Sequence, residues 1–213
     1  MYRKDLIKNY DAIFCLGSNC QGIYYIKQHN LCCGNNPTDW LSTHSLPLLI
    51  DQIHKKFINF MALENLSIIG VDKGNHAVFD PVYNCASYHE FPLNETLEEA
   101  YPKFKETLQR RIKRFYSTLD KSKNVLFIRV SPYPNETEML TVLLNVLSTY
   151  TDAKINLVYI ELKDNITEMI EVGHEHNLIC YLQFPTGENW LGDYVSWYGF
   201  LKDISLVPIN CEE

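Results

Sequence analysis

The spacing of apolar residues changes period several times along the chain, and each change marks an element. Residues 10–16, YDAIFCL, form an apolar run closed by Gly17-Ser18-Asn19, the pattern of a buried strand stopped by a turn. From residue 20 to 29, Ile23, Tyr24 and Ile26 fall at helical spacing, so strand, turn and helix adjoin directly. Ser18 or Asn19 can cap that helix, which places Cys20 in its first turn. Residues 31–43 are turn-rich and set Asp39 in a loop, whereas residues 46–61 predict a helix with Leu48, Leu49, Ile53, Phe57 and Phe60 on one side. Three short apolar segments, 67–71, 77–82 and 84–89, are broken by Gly, Asn and Pro and predict a small hairpin.

A long helix is predicted over 98–119 from Tyr101, Phe104, Leu108, Ile112, Phe115 and Leu119. A regular alternation then follows: strand 124–130, helix 136–150, strand 155–162, helix 166–176, strand 178–184, with residues 190–201 as a last amphipathic helix. The VLFI, LVYI and ICYL runs suit strands covered on both faces, and strand-helix-strand succession favours parallel pairing through right-handed crossovers. The expected fold is a three-layer, Rossmann-like α/β domain with a mainly parallel sheet. A length of 213 residues without repeat, linker or low-complexity tract makes it one domain over 1–213.

Composition narrows the function classes. A net charge of −7 opposes general nucleic-acid binding, which needs clustered cations. The one basic run, Arg110, Arg111, Lys113 and Arg114, reads as a solvated helix face, with contact to an anionic ligand or acidic partner as the alternative. The first residues are charged without an apolar core, so neither secretory signal nor membrane span is expected and the predicted location is the cytoplasm. Seven cysteines, at 15, 20, 32, 33, 85, 180 and 211, are odd in number and irregular in spacing, which fits reduced thiols better than a disulfide framework. The adjacent pair Cys32-Cys33 matches no zinc or thioredoxin motif, so no metal is expected; no nucleotide fingerprint implies a cofactor. The triplets starting at Asn65, Asn94, Asn135 and Asn165 would accept glycans only in a secreted chain.

The candidate chemistry centres on Cys20. A thiol at a helix start beyond a buried strand has unpaired amides and a dipole to favour its thiolate. A base is still required. His89, in Tyr88-His89-Glu90-Phe91-Pro92 between a strand and a helix, is the first candidate; His44 is second, while His174 and His176 read as surface residues near a helix end. Asp39 would orient the imidazole or serve as a turn former. Ser18, Asn19, Trp40, Arg129 and Trp190 are the candidate substrate contacts, although Arg129 would equally serve as a buried ion-pair partner. Cys15 and Cys180 lie inside apolar strands and read as packing.

The ordered set YDxIFxLGSNC, Pro37-Thr38-Asp39-Trp40, His89-Glu90-Phe91, Arg110-Arg111-Ile112-x-Arg114-Phe115 and Val125 to Arg129 resembles an uncharacterised, mainly bacterial family of predicted papain-like cysteine peptidases. The resemblance runs from about residue 8 to the Trp190-Leu191-Gly192-Asp193 tail. It implies a Cys/His/Asp hydrolase with Cys20, His89 and Asp39 at the matching motif positions. Two positions depart: Cys15 stands for a small polar residue, and Thr38 for an aromatic. A papain-like α+β fold is the architectural alternative, because papain-like enzymes build the histidine side from an antiparallel sheet. An SGNH-type hydrolase fits less well, since Asp193 is followed by Tyr194, Val195 and Ser196 rather than by Asp-x-x-His spacing. The expected function is thiol-dependent hydrolysis or acyl transfer on a peptide, ester or glycan-related substrate. The alternatives are a non-catalytic domain binding an anionic or carbohydrate-like ligand through Arg129, Trp40 and Trp190, and a purely structural protein.

Overall fold

The computed structural model describes residues 1–133 and 135–207; Cys211 lies outside them. In chain order the strands and helices are β1 (Asn9–Tyr10), β2 (Ala12–Cys15), α1 (Gln21–Gln28), β3 (Leu41–Thr43), α2 (Leu46–His54), β4 (Ser67–Asp72), β5 (Asn75–Asp80), β6 (Cys85–Ser87) and α3 (Leu97–Lys121). There follow β7 (Asn124–Ser131), α4 (Leu140–Ser148), β8 (Lys154–Lys163), β9 (Ile170–Glu171), β10 (Ile179–Pro185), α5 (Tyr194–Leu201) and β11 (Ser205–Leu206). Strands β2, β7, β8 and β10 lie side by side and all pair in parallel, with β9 antiparallel on the outer edge of β10. A separate antiparallel sheet has the order β3-β6-β5-β4. The chain is thus a mixed α/β protein with a mainly parallel main sheet.

Continuous burial explains the main sheet. On one face Phe14, Phe127, Leu157 and Tyr159 pack with Leu49 of α2, Phe115 of α3 and Leu144 of α4. On the other, Cys15, Ile128, Val158, Cys180 and Phe184 pack with Ile23 and Ile26 of α1 and Trp197 and Phe200 of α5. Strands covered on both faces have no polar side to show water, which is why their sequences run rather than alternate. Among the described residues no helix is long and apolar enough to cross a membrane.

Three sequence expectations need correction. The helix expected over 166–176 is absent: the segment is irregular apart from β9, which hydrogen-bonds along the edge of β10. Of its apolar positions Ile170 and Val172 remain exposed and only Met169 packs against the core, too little to hold the buried face of a helix. The helix expected over 46–61 ends at His54, after which Lys56, Phe57, Asn59 and Met61 take left-handed backbone angles incompatible with a continuing helix. The basic run of α3 is also not one solvated face. Arg111 is 8 % exposed and ion-pairs with Glu90 at 2.9 Å, while Arg114 Nη1 donates to the Asn35 carbonyl at 3.4 Å. The helix therefore ties down two loops, the one after β6 and the one before β3.

The two sheets meet behind the end of β2. Thr43 N donates to Ser18 O at 3.0 Å and Val130 N to Gly17 O at 3.0 Å, so the turn after β2 is stitched to both β3 and β7. Gly17 has φ +73°, and a Cβ there would come within 2.3 Å of Thr43 Oγ1. Gly22 lets α1 lie directly on β2, since its Cβ would come within 2.6 Å of Cys15 Sγ. The parallel sheet thus fixes the start of α1 while the antiparallel sheet is anchored beside it.

Candidate active site

Cys20 sits at the N-cap of α1, immediately beyond the turn that ends β2. Asn19, one residue before that cap, accepts the Gln21 N–H on its Oδ1 at 2.9 Å, an Asx turn leading into the helix, while Cys20 itself makes no side-chain cap bond. Across from it, the pairing of β3 with β6 puts Leu41 opposite Ser87, so the residues just outside that pair, Trp40 before β3 and Tyr88-His89 after β6, emerge at the same end of the sheet. The result is a separation of 3.8 Å between Cys20 Sγ and His89 Nε2. These two side chains share a cleft of about 680 Å³ with Asn19, Trp40, Tyr88 and Trp190.

The other candidates are placed as follows. Asp39 is 1 % exposed and does not hydrogen-bond His89: Oδ2 accepts the Asn36 N–H at 2.7 Å and Oδ1 has no hydrogen-bond partner. The neighbouring Trp40 meets the imidazole instead, edge to face, with ring centroids 5.9 Å apart. His44 Nδ1 pairs with the Tyr133 hydroxyl at 2.8 Å. Ser18 is buried and its hydroxyl has no partner, whereas Asn19, Trp40 and Trp190 line the cleft. Thr38, which stands where the resembling family has an aromatic, donates its hydroxyl to Cys15 O at 2.8 Å and so binds the Asp39 loop to β2.

Arg129 departs most from a ligand contact. It is fully buried, and each of its five N–H donors has an acceptor: Nε and Nη2 on the Glu136 carboxylate at 3.0 and 2.6 Å, Nη1 on Leu16 O and Thr43 Oγ1 at 2.9 Å each, and Nη2 also on Thr43 O at 3.2 Å. A saturated guanidinium has no donor left for a substrate. It braces the turn before Cys20 instead, which removes the charged contact on which the anion-binding alternative relied.

A family model described as "Putative papain-like cysteine peptidase (DUF1796)" matches residues 11–163, which contain Cys20, Asp39, His89 and Arg129. The chain belongs to that family. Trp190 lies beyond the matched region. No curated protein and no solved structure matches the chain.

The electrostatics of this family member run against a preformed thiolate. Burial, and then the Asp39 carboxylate, push the Cys20 thiol up to about 11, with Lys73 opposing them. The helix start was expected to lower it, but desolvation, joined by the Asp39 carboxylate, sets the direction upward. Cys20 is therefore a thiol at neutral pH. Asp39 is itself pushed up to about 7 by burial, against the Asn36 N–H, Lys27 and Arg111. Cys15, buried in β2, is raised to about 12 and is packing.

Four buried polar side chains lack partners within two residues of Cys20, Trp40 or His89: Ser18, Gln21 (at Oε1), Asp39 (at Oδ1) and Ser87. Unpaired buried groups are costly, and their concentration here marks a place where packing is subordinated to something else. Sequence reasoning missed Ser87, Tyr88 and the β4–β5 hairpin tip, whose Val71, Asp72 and Lys73 reach the cleft. It also missed the Arg111–Glu90 pair, although Arg111 stands three residues after Leu108 and four before Phe115, on the apolar stripe of α3.

The Asp39 charge has a directional consequence. Because its folded-state value of about 7 lies above its ordinary 3.8, the folded chain binds this proton more tightly than the unfolded chain. Its contribution to stability is then greatest below pH 3.8 and is lost as pH rises towards about 7. Asp39→Asn keeps the shape and removes the charge. The variant is expected to flatten that slope in urea titrations at pH 5 to 8, and to lower the Cys20 thiol value, so that iodoacetamide labels Cys20 faster at pH 8. Unchanged labelling would show that Asp39 does not act on the thiol.

Proposed function

We propose that the chain is a cysteine peptidase-like hydrolase, or acyltransferase, acting on an amide or ester through Cys20. The observation that carries the reading is the 3.8 Å separation of Cys20 Sγ and His89 Nε2 inside an open cleft, two residues that are 69 positions apart in sequence. With the thiol protonated at rest, His89 works as a general base in its Nδ1–H tautomer. Nε2 takes the Cys20 proton as sulfur attacks the carbonyl carbon, and main-chain N–H groups at the start of α1 face the developing oxyanion. Collapse breaks the bond to the leaving nitrogen or oxygen, which receives the proton from His89 and leaves a Cys20 thioester. Water, or an acceptor nucleophile in acyl transfer, then gives its proton to His89 and attacks the thioester, releasing acyl product and thiol.

In this reading Trp40 holds the imidazole by edge-to-face packing, and Asp39, behind the site, sets the charge felt by the thiol rather than holding the ring. The domain is one three-layer, Rossmann-like unit of the reducing cytoplasm, where a thiol nucleophile stays unoxidised. The test is a trapped intermediate. Brief exposure to p-nitrophenyl esters of N-acyl amino acids, followed by acid quench and intact-mass measurement, is expected to show one acyl adduct that peptide mapping places on Cys20 and that Cys20→Ala lacks. Adducts on other residues, or none above a denatured control, would overturn the reading.

A further inference from the structure

We infer that the cleft over Cys20 takes a neutral, bulky apolar group of the substrate, an aromatic or branched side chain, seated between Trp40 and Trp190. The inference rests on the reading of Cys20 as the reacting group and adds the substrate class.

Both indoles are held in place at the cleft, although Trp40 also packs partly against the core on the α1 side of the main sheet. Trp40 has φ +67°, a left-handed conformation rare for a bulky residue and a sign of strain kept for function. Its Nε1 donates to Asn35 Oδ1 at 3.3 Å, which fixes the ring. Trp190 is 48 % exposed, yet it is anchored rather than loose. The side chain of Gln21, next to Cys20, donates from Nε2 to the Trp190 carbonyl at 3.0 Å, and the indole packs against Tyr24 with centroids 5.6 Å apart. Val71, 64 % exposed, brings a branched apolar side chain to the same cleft from the β4–β5 hairpin. An apolar lining held open over a candidate nucleophile is the usual setting in which a side chain of the substrate supplies binding energy.

Charge decides which bulky group fits. Lys27 Nζ lies 5.0 Å from the Trp40 ring centroid and Lys73 Nζ 5.8 Å from that of Trp190. The π-faces that would attract a cationic ligand already carry ammonium groups, so a cation would enter against like charge. An anion gains little, because Asp72 stands beside Lys73 in the lining. A neutral apolar group is what remains.

The experiment reads alkylation of Cys20 in the intact protein, which needs no turnover. Second-order rates for iodoacetamide, N-phenethyl iodoacetamide and N-(2-ammonioethyl) iodoacetamide are measured by peptide mass spectrometry, each divided by its rate with glutathione. The phenethyl reagent is expected to exceed iodoacetamide by about tenfold after this normalisation, with the ammonium reagent slowest. Trp190→Ala and Val71→Ala, both at exposed positions, are each expected to bring the phenethyl ratio towards one. A ratio near one in the unmodified protein, a preference for the ammonium reagent, or a Cys20 that none of the three labels would overturn the inference. A retained tenfold ratio with no acyl adduct in the trapping experiment would sink the hydrolase reading and leave the subsite standing; an adduct with a ratio of one would do the reverse.

Discussion

Exchange of His89 for alanine is expected to lower kcat/KM on an activated ester or peptide by about 10²- to 10⁴-fold, the range that a positioned general base contributes. The size follows from the state of the thiol. Cys20 is pushed up to about 11, so only a small fraction is thiolate near neutrality and the base is needed in every turnover. Without it the rate follows the thiolate fraction. Residual activity of His89→Ala should therefore climb about tenfold per pH unit through pH 7 to 10, since the thiol loses its proton only as pH approaches about 11. With the base in place the unsubstituted protein does not depend on the thiolate fraction and should rise far less steeply over the same range. His89 is exposed, so the thermal midpoint should hardly move, and a loss of activity with intact folding isolates the chemical role. A flat, wild-type-like profile in the variant would remove His89 from the mechanism.

Arg129→Met should destabilise the fold by about 3–5 kcal/mol, the cost of removing one partner of a buried ion pair. Glu136, 7 % exposed, would be left without the guanidinium that takes both its carboxylate oxygens, and Leu16 O and both oxygens of Thr43 would lose a donor inside the core. Pairing the change with Glu136→Gln should recover part of the loss, because a neutral amide is cheaper to bury than an unpaired carboxylate. Urea titration of the two variants measures both values. A loss below about 1 kcal/mol, the level of a solvent-exposed pair, would contradict the sealed position of Arg129. The same arginine braces the turn before Cys20, so its replacement should also slow acylation in the fraction that stays folded.

The family name and the parallel sheet describe different parts of this molecule. Cys20 stands at a helix that leaves a parallel strand, as the βαβ rhythm suggests, whereas His89 follows β6 in an antiparallel sheet, the arrangement that papain-like enzymes use for their histidine. The short segments between 66 and 91 showed a hairpin in the sequence, but β3, three residues in a turn-rich stretch, carried no periodic signal of its own. Only its pairing with β6 completes the sheet and carries Trp40 to His89.

By itself the sequence determined the strands and helices whose burial is one-sided or complete. The runs at β2, β7, β8 and β10 and the stripe of α3 could be read because hydrophobic period and length are local properties. It also determined the local setting of the thiol, since a turn after a buried run needs nothing distant to form. The segment 166–176 failed because helical spacing is a local signal, whereas the folded chain packs only Met169 on the core and uses Ile170-Glu171 as an edge strand on β10, which is a tertiary fact. The same reason governs the charged groups. Whether Arg129 met a ligand or a carboxylate, whether Arg111 faced water or Glu90, and whether Cys20 was eased towards its thiolate or held as a thiol depended on burial and on which charges lay across the chain from it. Desolvation and Coulomb interactions act through space between residues remote in sequence, so only the folded chain could decide them.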